Sequence, residues 1–188
     1  HTAGGLYAED GTLLGESQGP PANPVAYGLP ATLSALSATA GPLLSGVKER
    51  VVALAGVSGA RSAEYWREIA QGLCDQLDVE RAVVTTDIHP LLEANAMGRP
   101  ALLVVSGTGA TVLGRDLQGR IHQIGGRGRL LGEEGSAYAI ALNGLRAAAH
   151  AIDGIGPKTM LVEMLPRAAE LGEFDDLVGW TAIASKRD

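Results

Sequence analysis

A cluster of glycines between positions 125 and 135 constrains the fold of this chain more than any other feature of its sequence. Five of the eleven residues in this stretch are glycine. Glycine loses more conformational entropy on folding than any other residue, so such a cluster indicates a loop that something must approach closely. Glu133 and Glu134 lie within it, and a helical pattern begins at Ser136. Two carboxylates near a helix start also suit the helix macrodipole, which is a purely structural explanation for them.

A second glycine motif, Ser106-Gly107-Thr108-Gly109, lies upstream between two apolar runs, 101–105 and 110–113. β-Branched runs separated by such a turn predict the strands of a hairpin. Two glycines at the bend allow positive φ and close approach of a ligand, and Thr108 offers a hydroxyl and an N–H. Such a bend suits an anion, phosphate above all. Taken alone, it fits a simple hairpin turn equally well.

Three motifs occur in the order Ser-Gly-Thr-Gly, Gly-Gly-x-Gly and Gly-Glu-Glu-Gly-Ser. Together they resemble the N-acetylglucosamine kinase branch of the BadF/BadG/BcrA/BcrD ATPase family, within the sugar kinase, Hsp70 and actin superfamily. The resemblance covers nearly the whole chain, and three linked motifs are far more specific than any one of them. It implies an α/β, actin-like ATPase fold of the ribonuclease H-like type, with two lobes.

The resemblance also divides the chain. Residues 1–97 would form the N-terminal lobe, and residues 98–188 the start of the C-terminal lobe. In the family, the first phosphate loop precedes the strand with which this chain begins, so that loop would be missing here. The chain would also end before the glycine-rich stretch that cradles adenosine in the family. We therefore expect a chain truncated at both ends that is not a working kinase by itself.

The first half reads as a hairpin followed by two strand-then-helix units. Asp10-Gly11 between two short apolar runs is a strong hairpin signal. The continuous apolar run 51–57 predicts a strand covered on both faces. Ser62 can cap the helix that follows. The next strand, 82–87, runs into a helix start at Pro90.

Asp87 stands where this strand gives way to a helix, the usual place for ligands in open α/β sheets. From position alone, a structural carboxylate at a helix terminus is the preferred interpretation. In the resembling kinases, the aspartate that closes the Thr-Thr-Asp strand accepts the proton of the sugar's 6-hydroxyl as that oxygen attacks the γ-phosphate. A carboxylate within hydrogen-bond reach can orient the hydroxyl and take its proton. His89 is interpreted as a helix-start residue rather than a base.

Asn23 precedes Pro24 in a loop rich in proline and glycine. On composition it is a turn residue. In the resembling kinases, an asparagine in the corresponding Gly-x-x-x-Asn stretch binds the sugar, so Asn23 becomes a candidate substrate ligand.

The resemblance thus implies a set of site residues. ATP would bind in the cleft between the lobes, with Mg²⁺ bridging its phosphates as such transfers need. The β- and γ-phosphates would lie against Gly107, Thr108 and Gly109. The sugar would be contacted at the family's positions by Asn23, Asp87, Gly126, Arg127 and Glu133. The implied function is ATP-dependent transfer of the γ-phosphate to the 6-hydroxyl of an amino sugar, N-acetylglucosamine or glucosamine.

Two departures from the family pattern affect the sugar. The family commonly has Gly-Gly-Trp-Gly where this chain has Gly125-Gly126-Arg127-Gly128. An apolar indole is thereby replaced by a charged fork that favours carboxylate or phosphate. The family's Gly-Asp-Glu-Gly is here Gly-Glu-Glu-Gly, which places the carboxylate of Glu133 one methylene further out.

Composition limits the alternatives. The net charge is −6 and the fifteen lysines and arginines are scattered, which argues against nucleic acid or an anionic membrane as a partner. No apolar run reaches transmembrane length. The single cysteine, Cys74, supports neither a disulfide nor a zinc site. We therefore expect a cytoplasmic protein whose partners are ATP and a small amino sugar.

Three other functions stay open. The ATPase that activates 2-hydroxyacyl-CoA dehydratases shares the implied fold but needs cysteines for an iron–sulfur cluster, so a single cysteine disfavours it. A sugar-responsive regulator of the repressor, open reading frame and kinase family would need a cysteine-rich zinc motif, which the sequence lacks. A non-catalytic sugar- or nucleotide-binding protein is compatible with the two departures. The sequence leaves the oligomeric state open, and a homodimer is common among the proteins that it resembles.

Overall fold

The computed structural model describes residues 1–184 of the chain. The chain divides into two compact units, of which the first spans His1–Met97 and the second begins at Gly98. Each unit combines β-strands with α-helices, so the predicted α/β class is confirmed. Residues 185–188 of the predicted C-terminal lobe lie outside the described residues. The identification of the two units as lobes stays a prediction.

The first unit is built from strands and helices that follow one another in an irregular order. They are β1 (Thr2–Tyr7), β2 (Leu13–Gly19), α1 (Pro24–Tyr27), α2 (Leu29–Leu44), β3 (Val52–Gly56), α3 (Ala63–Gln76), β4 (Arg81–Thr85) and α4 (His89–Ala96). β1 and β2 form an antiparallel hairpin, and Asp10 Oδ1 accepts the Thr12 N–H in its turn. β3 and β4 pair in parallel on either side of α3 in the chain.

The core of the first unit forms between α3 and the strand pair β3–β4. The Ser62 hydroxyl accepts the Tyr65 N–H at 3.2 Å and so caps α3, as its position before the apolar stripe predicts. The helix then buries Ile69 and Leu73 against Val84 of β4. Complete burial of a side chain such as Ile69 stabilises the fold by about 1.5–3 kcal/mol.

The predicted burial of both faces of β3 is wrong. Ala55 packs against the core, whereas Leu54 on the opposite face is 80% exposed. Successive side chains of a strand point to opposite faces, so α2 and α3 cover only the face that carries Ala55. A continuous apolar run therefore does not distinguish a strand with one covered face from a strand with two.

The second unit is an antiparallel meander followed by helices. Its elements are β5 (Ala101–Ser106), β6 (Ala110–Arg115), β7 (Ile121–Gly125), α5 (Ala137–Ile152), α6 (Leu161–Ala168) and α7 (Asp176–Ile183). The strands pair in the order β5-β6-β7. Ser136 Oγ accepts the Ala139 N–H at 3.1 Å and caps α5. Among the helices of the described residues, none combines the length and apolarity needed to span a membrane.

We expect the Asp116 carboxyl, in the turn between β6 and β7, to titrate with a pKa of about 2 rather than its ordinary 3.8. The largest cause is the hydrogen bond that His122 Nε2 donates to Asp116 Oδ2 at 3.0 Å. Desolvation opposes the shift in pKa, and hydrogen bonds from Arg120 and from the Gln118 N–H add to it. Because the folded pKa lies below the unfolded one, the stabilisation is complete above 3.8 and is lost as the pH falls through about 2.

A carboxyl-detected NMR titration measures this pKa directly. In the His122→Val variant, the pKa of Asp116 should rise toward its ordinary value, since the largest cause of the shift is gone. Asp10 is an internal control, because hydrogen bonds from Thr12 lower its pKa and His122 takes no part. An unchanged Asp116 pKa in the variant would contradict the assignment to His122.

Candidate active site

The Gly-Thr-Gly bend joins β5 to β6, where Ser106 pairs with Ala110. The Gly107 N–H donates to Gly109 O at 2.9 Å, whereas the N–H groups of Thr108 and Gly109 have no acceptor among the described residues. Unpaired N–H groups at one bend can bind an anion. Neither Gly107 nor Gly109 is among the glycines with positive φ, so the bend does not use the conformational freedom that glycine allows there.

The glycine motifs of the second unit are tied to one another by hydrogen bonds. The bonds run from Ser106 Oγ to Gly135 O at 2.9 Å, from Ala137 N to Gly107 O at 2.8 Å and from Gly126 N to Ala110 O at 2.8 Å. Segments that are well separated in the sequence therefore meet at one end of the meander. The structure brings together all the candidate residues that the sequence places in this unit.

Glu133 lies directly against the Gly-Thr-Gly bend. A Cβ atom at Gly109 would stand 2.9 Å from Glu133 Oε1 and 3.2 Å from its Cδ. The backbone of Glu133 is fixed, because its carbonyl accepts the Ser136 N–H at 3.0 Å. α5 begins only at Ala137 and has no acidic residue in its first turn, so the helix macrodipole does not account for this carboxylate.

The loop that carries Arg127 does use positive φ. Gly126 and Gly128 have φ values of 61° and 89° on either side of it. The Arg127 N–H donates to Gly132 O at 3.0 Å, which closes the loop. The Arg127 side chain is exposed, and its guanidinium makes no hydrogen bond or ion pair with another described residue. The Arg127 guanidinium is therefore available to an anionic ligand.

In the first unit, Asp87 lies two residues beyond the end of β4, and its side chain is exposed. It does not cap α4, because the cap position is Ile88 and no side chain accepts a hydrogen bond there. The structural interpretation of Asp87 as a helix-terminus carboxylate therefore has no support in the contacts. Its role in proton transfer stays a prediction.

Two neighbours fix the backbone around Asp87. A Cβ atom at Gly56 of β3 would stand 3.2 Å from Asp87 Cα, so the strand end and the loop are in close contact. The hydroxyls of Thr85 and Thr86 lie 2.7 and 2.8 Å from His89 Nδ1. His89 thus holds the two residues that precede Asp87 and is itself the first residue of α4.

Asn23 has a structural role that the sequence also allows. Its side-chain Oδ1 accepts the N–H groups of Val25 and Ala26, both at 3.0 Å, and caps α1. Its amide packs against Gly59, whose φ is 80° and where a Cβ atom would stand 2.9 Å from Asn23 Cγ. The oxygen is occupied, so Nδ2 is the atom that Asn23 could offer to a ligand. Its role in sugar binding stays a prediction.

Asn23 and Asp87 are both at the carboxyl edge of the parallel pair β3–β4. Gly56 ends β3 beside Asp87. Gly59, three residues further along the chain, is in contact with the Asn23 side chain. This is the edge at which open α/β sheets bind ligands.

Gly56 and Gly59 position these candidates but were not singled out from the sequence, and His89 was interpreted there only as a helix-start residue. The signal for the glycines was their place at or just after a strand end, where close approach is common. The signal for His89 was its spacing of four from Thr85, which only the fold turns into a contact.

We expect His89→Leu to lower the free energy of unfolding of the first unit by about 1–3 kcal/mol, because the Thr86 hydroxyl would lose its partner in a buried position. Thr86 is 4% exposed. Trp66 reports the change, since its ring meets that of His89 edge-on at 6.2 Å. The measurement is urea unfolding followed by fluorescence in a Trp180→Phe background. His150→Leu, at an exposed position of α5, is the control. Equal stability of the two variants would contradict a stabilising role of the hydrogen bonds between His89 and the threonine hydroxyls.

Solved structures show the fold. A crystal structure of a proposed N-acetylglucosamine kinase from Chromobacterium violaceum aligns with a TM-score of 0.77 at 21% identity, over 98% of this chain and 65% of that one. A second, from Porphyromonas gingivalis, aligns with a TM-score of 0.64 at 20% identity, over 89% of this chain and 58% of that one. The chain therefore has the actin-like α/β fold of these proteins over the aligned residues.

Curated relatives match shorter segments. An N-acetylmuramic acid/N-acetylglucosamine kinase of Clostridium acetobutylicum is 32% identical over 100 residues, which are 53% of this chain and 33% of the relative. An N-acetyl-D-glucosamine kinase of Dictyostelium discoideum is 38% identical over 79 residues, which are 42% of this chain and 25% of the relative. The chain thus spans between a quarter and a third of the length of these relatives.

One family matches along nearly the entire chain. The sequence model of the BadF/BadG/BcrA/BcrD ATPase family aligns with residues 2–188. This range contains the Gly-Thr-Gly bend, the Gly-Gly-Arg-Gly loop and the Glu133 segment that the structure brings together. The chain therefore belongs to the BadF/BadG/BcrA/BcrD ATPase family.

Proposed function

We propose that this protein is an ATP-dependent amino-sugar kinase that transfers the γ-phosphate to the 6-hydroxyl of N-acetylglucosamine or a close relative of it. The observation that carries the proposal is the meeting of three glycine motifs in the second unit, with a carboxylate seated on the bend that has unpaired N–H groups. Such an arrangement offers donors for a phosphate beside an acceptor for sugar hydroxyls. Family membership and the names of the curated relatives support the same activity.

The residues of the bend fit the phosphates of ATP. Thr108 and Gly109 offer backbone N–H groups, and a Cβ atom at Gly107 would meet no atom of the described residues within 4 Å, so a ligand can approach there. Mg²⁺ is commonly held by one or two carboxylates together with substrate phosphates, which requires no dedicated protein cage. ATP would supply the phosphoryl group, and Mg²⁺ would neutralise charge on the phosphates.

Asp87 would act as the base. The sugar's 6-hydroxyl oxygen forms a bond to the γ-phosphorus, the bond from that phosphorus to the β–γ bridging oxygen breaks, and ADP leaves. The hydroxyl proton passes to the Asp87 carboxylate. His89 holds the two residues before Asp87, and Gly56 lies against the Asp87 backbone. Such positioning is what phosphoryl transfer demands of a protein.

Four residues are proposed as sugar ligands. Asn23 Nδ2 could donate to a ring substituent, while Glu133 could accept from hydroxyl groups. Gly126 would allow close approach of the sugar ring, and Arg127 would meet a polar or anionic substituent. All four assignments come from the positions of the family motif. The structure adds only that the Asn23 oxygen is occupied and that the Arg127 guanidinium pairs with no other described residue.

Arg127 favours one substrate class within this proposal. N-Acetylmuramic acid is an amino sugar that carries a carboxylate, and the Clostridium acetobutylicum relative is a kinase for it as well as for N-acetylglucosamine. A guanidinium forms paired hydrogen bonds with a carboxylate, which an indole at the same position could not do. We therefore include an acidic N-acetyl sugar among the candidate substrates.

A coupled ADP-release assay on the full-length gene product tests the function. The panel contains glucose, glucosamine, N-acetylglucosamine and N-acetylmuramic acid, and NMR of the product locates the new phosphate ester. Sugar-dependent ADP release with the phosphate on the 6-oxygen supports the proposal. ATP hydrolysis that ignores sugar would favour an ATPase, and sugar binding without turnover would favour a non-catalytic binding protein. Light scattering on the same preparation tests the homodimer that the resemblance implies.

A further inference from the structure

The two glycines of the Gly-Thr-Gly bend differ in what surrounds them. Neither adopts positive φ, so backbone conformation alone would allow a side chain at either position. Within residues 1–184, a Cβ atom at Gly107 would meet nothing within 4 Å. A Cβ atom at Gly109 would stand 2.9 Å from Glu133 Oε1, 3.2 Å from Cδ and 3.5 Å from Oε2. Of the two glycines, Gly109 is therefore the one whose missing side chain leaves space for another side chain, that of Glu133.

A methyl group at position 109 would displace the carboxylate rather than the fold. The atoms that it would meet are the end of a flexible side chain, which can rotate away. The backbone of this segment cannot follow as readily, because Glu133 O accepts the Ser136 N–H at 3.0 Å and Gly132 N–H donates to Gly128 O at 3.1 Å. The expected change is a new position of the carboxylate on an unchanged loop.

We propose that Gly109 is a positioning residue for Glu133. Because residue 109 has no side chain, the Glu133 carboxylate can occupy the position from which it binds the sugar. This inference rests on the proposed function in one respect, namely that Glu133 contacts the sugar. It assigns Gly109 a role in sugar binding, although its motif is that of a phosphate-binding bend. One residue thus borders both the phosphate donors and the sugar acceptor.

The geometry predicts that replacing the two glycines by alanine has different effects on sugar binding. Gly109→Ala should weaken binding of N-acetylglucosamine by about tenfold or more, the usual effect of losing a hydrogen bond to a charged group. Gly107→Ala should leave sugar binding without nucleotide unchanged, because its Cβ atom would lie more than 4 Å from every atom of Glu133. Isothermal titration of the full-length gene product with the sugar alone measures both, and thermal unfolding confirms that each variant is folded.

A double-mutant cycle separates positioning from a direct effect of the methyl group. Glu133→Ala removes the atoms that the new Cβ would meet, so Gly109→Ala should cost no further sugar affinity in the Glu133→Ala background. Additive losses would overturn the proposal. So would an unchanged sugar affinity in the single variant Gly109→Ala.

Crystal structures of the two alanine variants provide a readout that does not depend on the sugar. In Gly109→Ala the Glu133 carboxylate should move, whereas in Gly107→Ala it should stay. If the wild-type protein binds no amino sugar but the carboxylate moves only in Gly109→Ala, the proposed function fails and the positioning role stands. If the carboxylate stays in place in Gly109→Ala, the positioning role fails whatever the substrate is.

Discussion

Replacing Asp87 with Asn in the full-length gene product is expected to lower kcat by about 10²–10⁴-fold, the usual contribution of a positioned acid–base group. Sugar affinity should fall much less, because the amide can still hydrogen-bond the attacking hydroxyl. The basis is the exposed position of Asp87 beyond the end of β4, on a backbone held by Gly56 and His89. Steady-state turnover and direct sugar binding, measured on the same preparation, separate the two effects.

Asp78→Asn is the matched control. Asp78 is exposed in the loop between α3 and β4, and it carries the same charge in the same unit. Its replacement should leave kcat within about twofold of the wild-type value, as surface changes away from special features usually do. A near-normal kcat in Asp87→Asn would remove Asp87 from the mechanism, whatever the control shows.

The local elements of the fold could be predicted well because their signals lie within a few residues of sequence. Ser62 caps α3 as predicted, and α5 begins directly after Ser136, where the helical pattern was expected to start. Asp10-Gly11 forms the turn of the first hairpin. In each case the side chain and its partner are at most three residues apart, so no knowledge of the tertiary fold is needed.

Features that depend on distant residues could not be predicted in the same way. The exposure of Leu54 reflects which helices pack on β3, and an apolar run does not encode that. The need for glycine at 109 arises from Glu133, which lies well downstream in the sequence. Gly109 does not adopt positive φ, so a glycine can be required by a neighbouring side chain rather than by its own backbone.

The candidate site likewise has features that the sequence could predict and features that only the structure shows. Motif resemblance supplied the residue types, and their roles stay predictions. The structure adds what the motifs do not contain, for example that Asn23 already caps α1 through its oxygen and can offer a ligand only its Nδ2. A residue can therefore satisfy the local turn and stay available for a substrate, and the two interpretations of Asn23 do not exclude each other.

Substituting Arg127 with Trp is expected to shift substrate preference toward N-acetylglucosamine and away from an anionic amino sugar. The guanidinium is exposed and pairs with no other described residue, so a ligand carboxylate would be its partner. Loss of a hydrogen-bonded charge contact should change the ratio of kcat/KM values for N-acetylmuramic acid and N-acetylglucosamine by roughly 10- to 100-fold. The same sugar panel, run on both proteins, measures this ratio.

Arg129→Gln is the control for a charge change in the same loop. The Arg129 guanidinium lies over the ring of Tyr138 at 6.0 Å, so its charge is used within the protein, and its loss should leave the ratio unchanged. If Arg127→Trp and the wild-type protein rank the sugars alike, Arg127 faces solvent and has no part in specificity. The comparison isolates the substrate question from catalysis, because Arg127 would select the sugar whereas Asp87 would act on the hydroxyl that all these sugars share. A changed ranking with kcat preserved would therefore support the assignment of Arg127 to sugar selection.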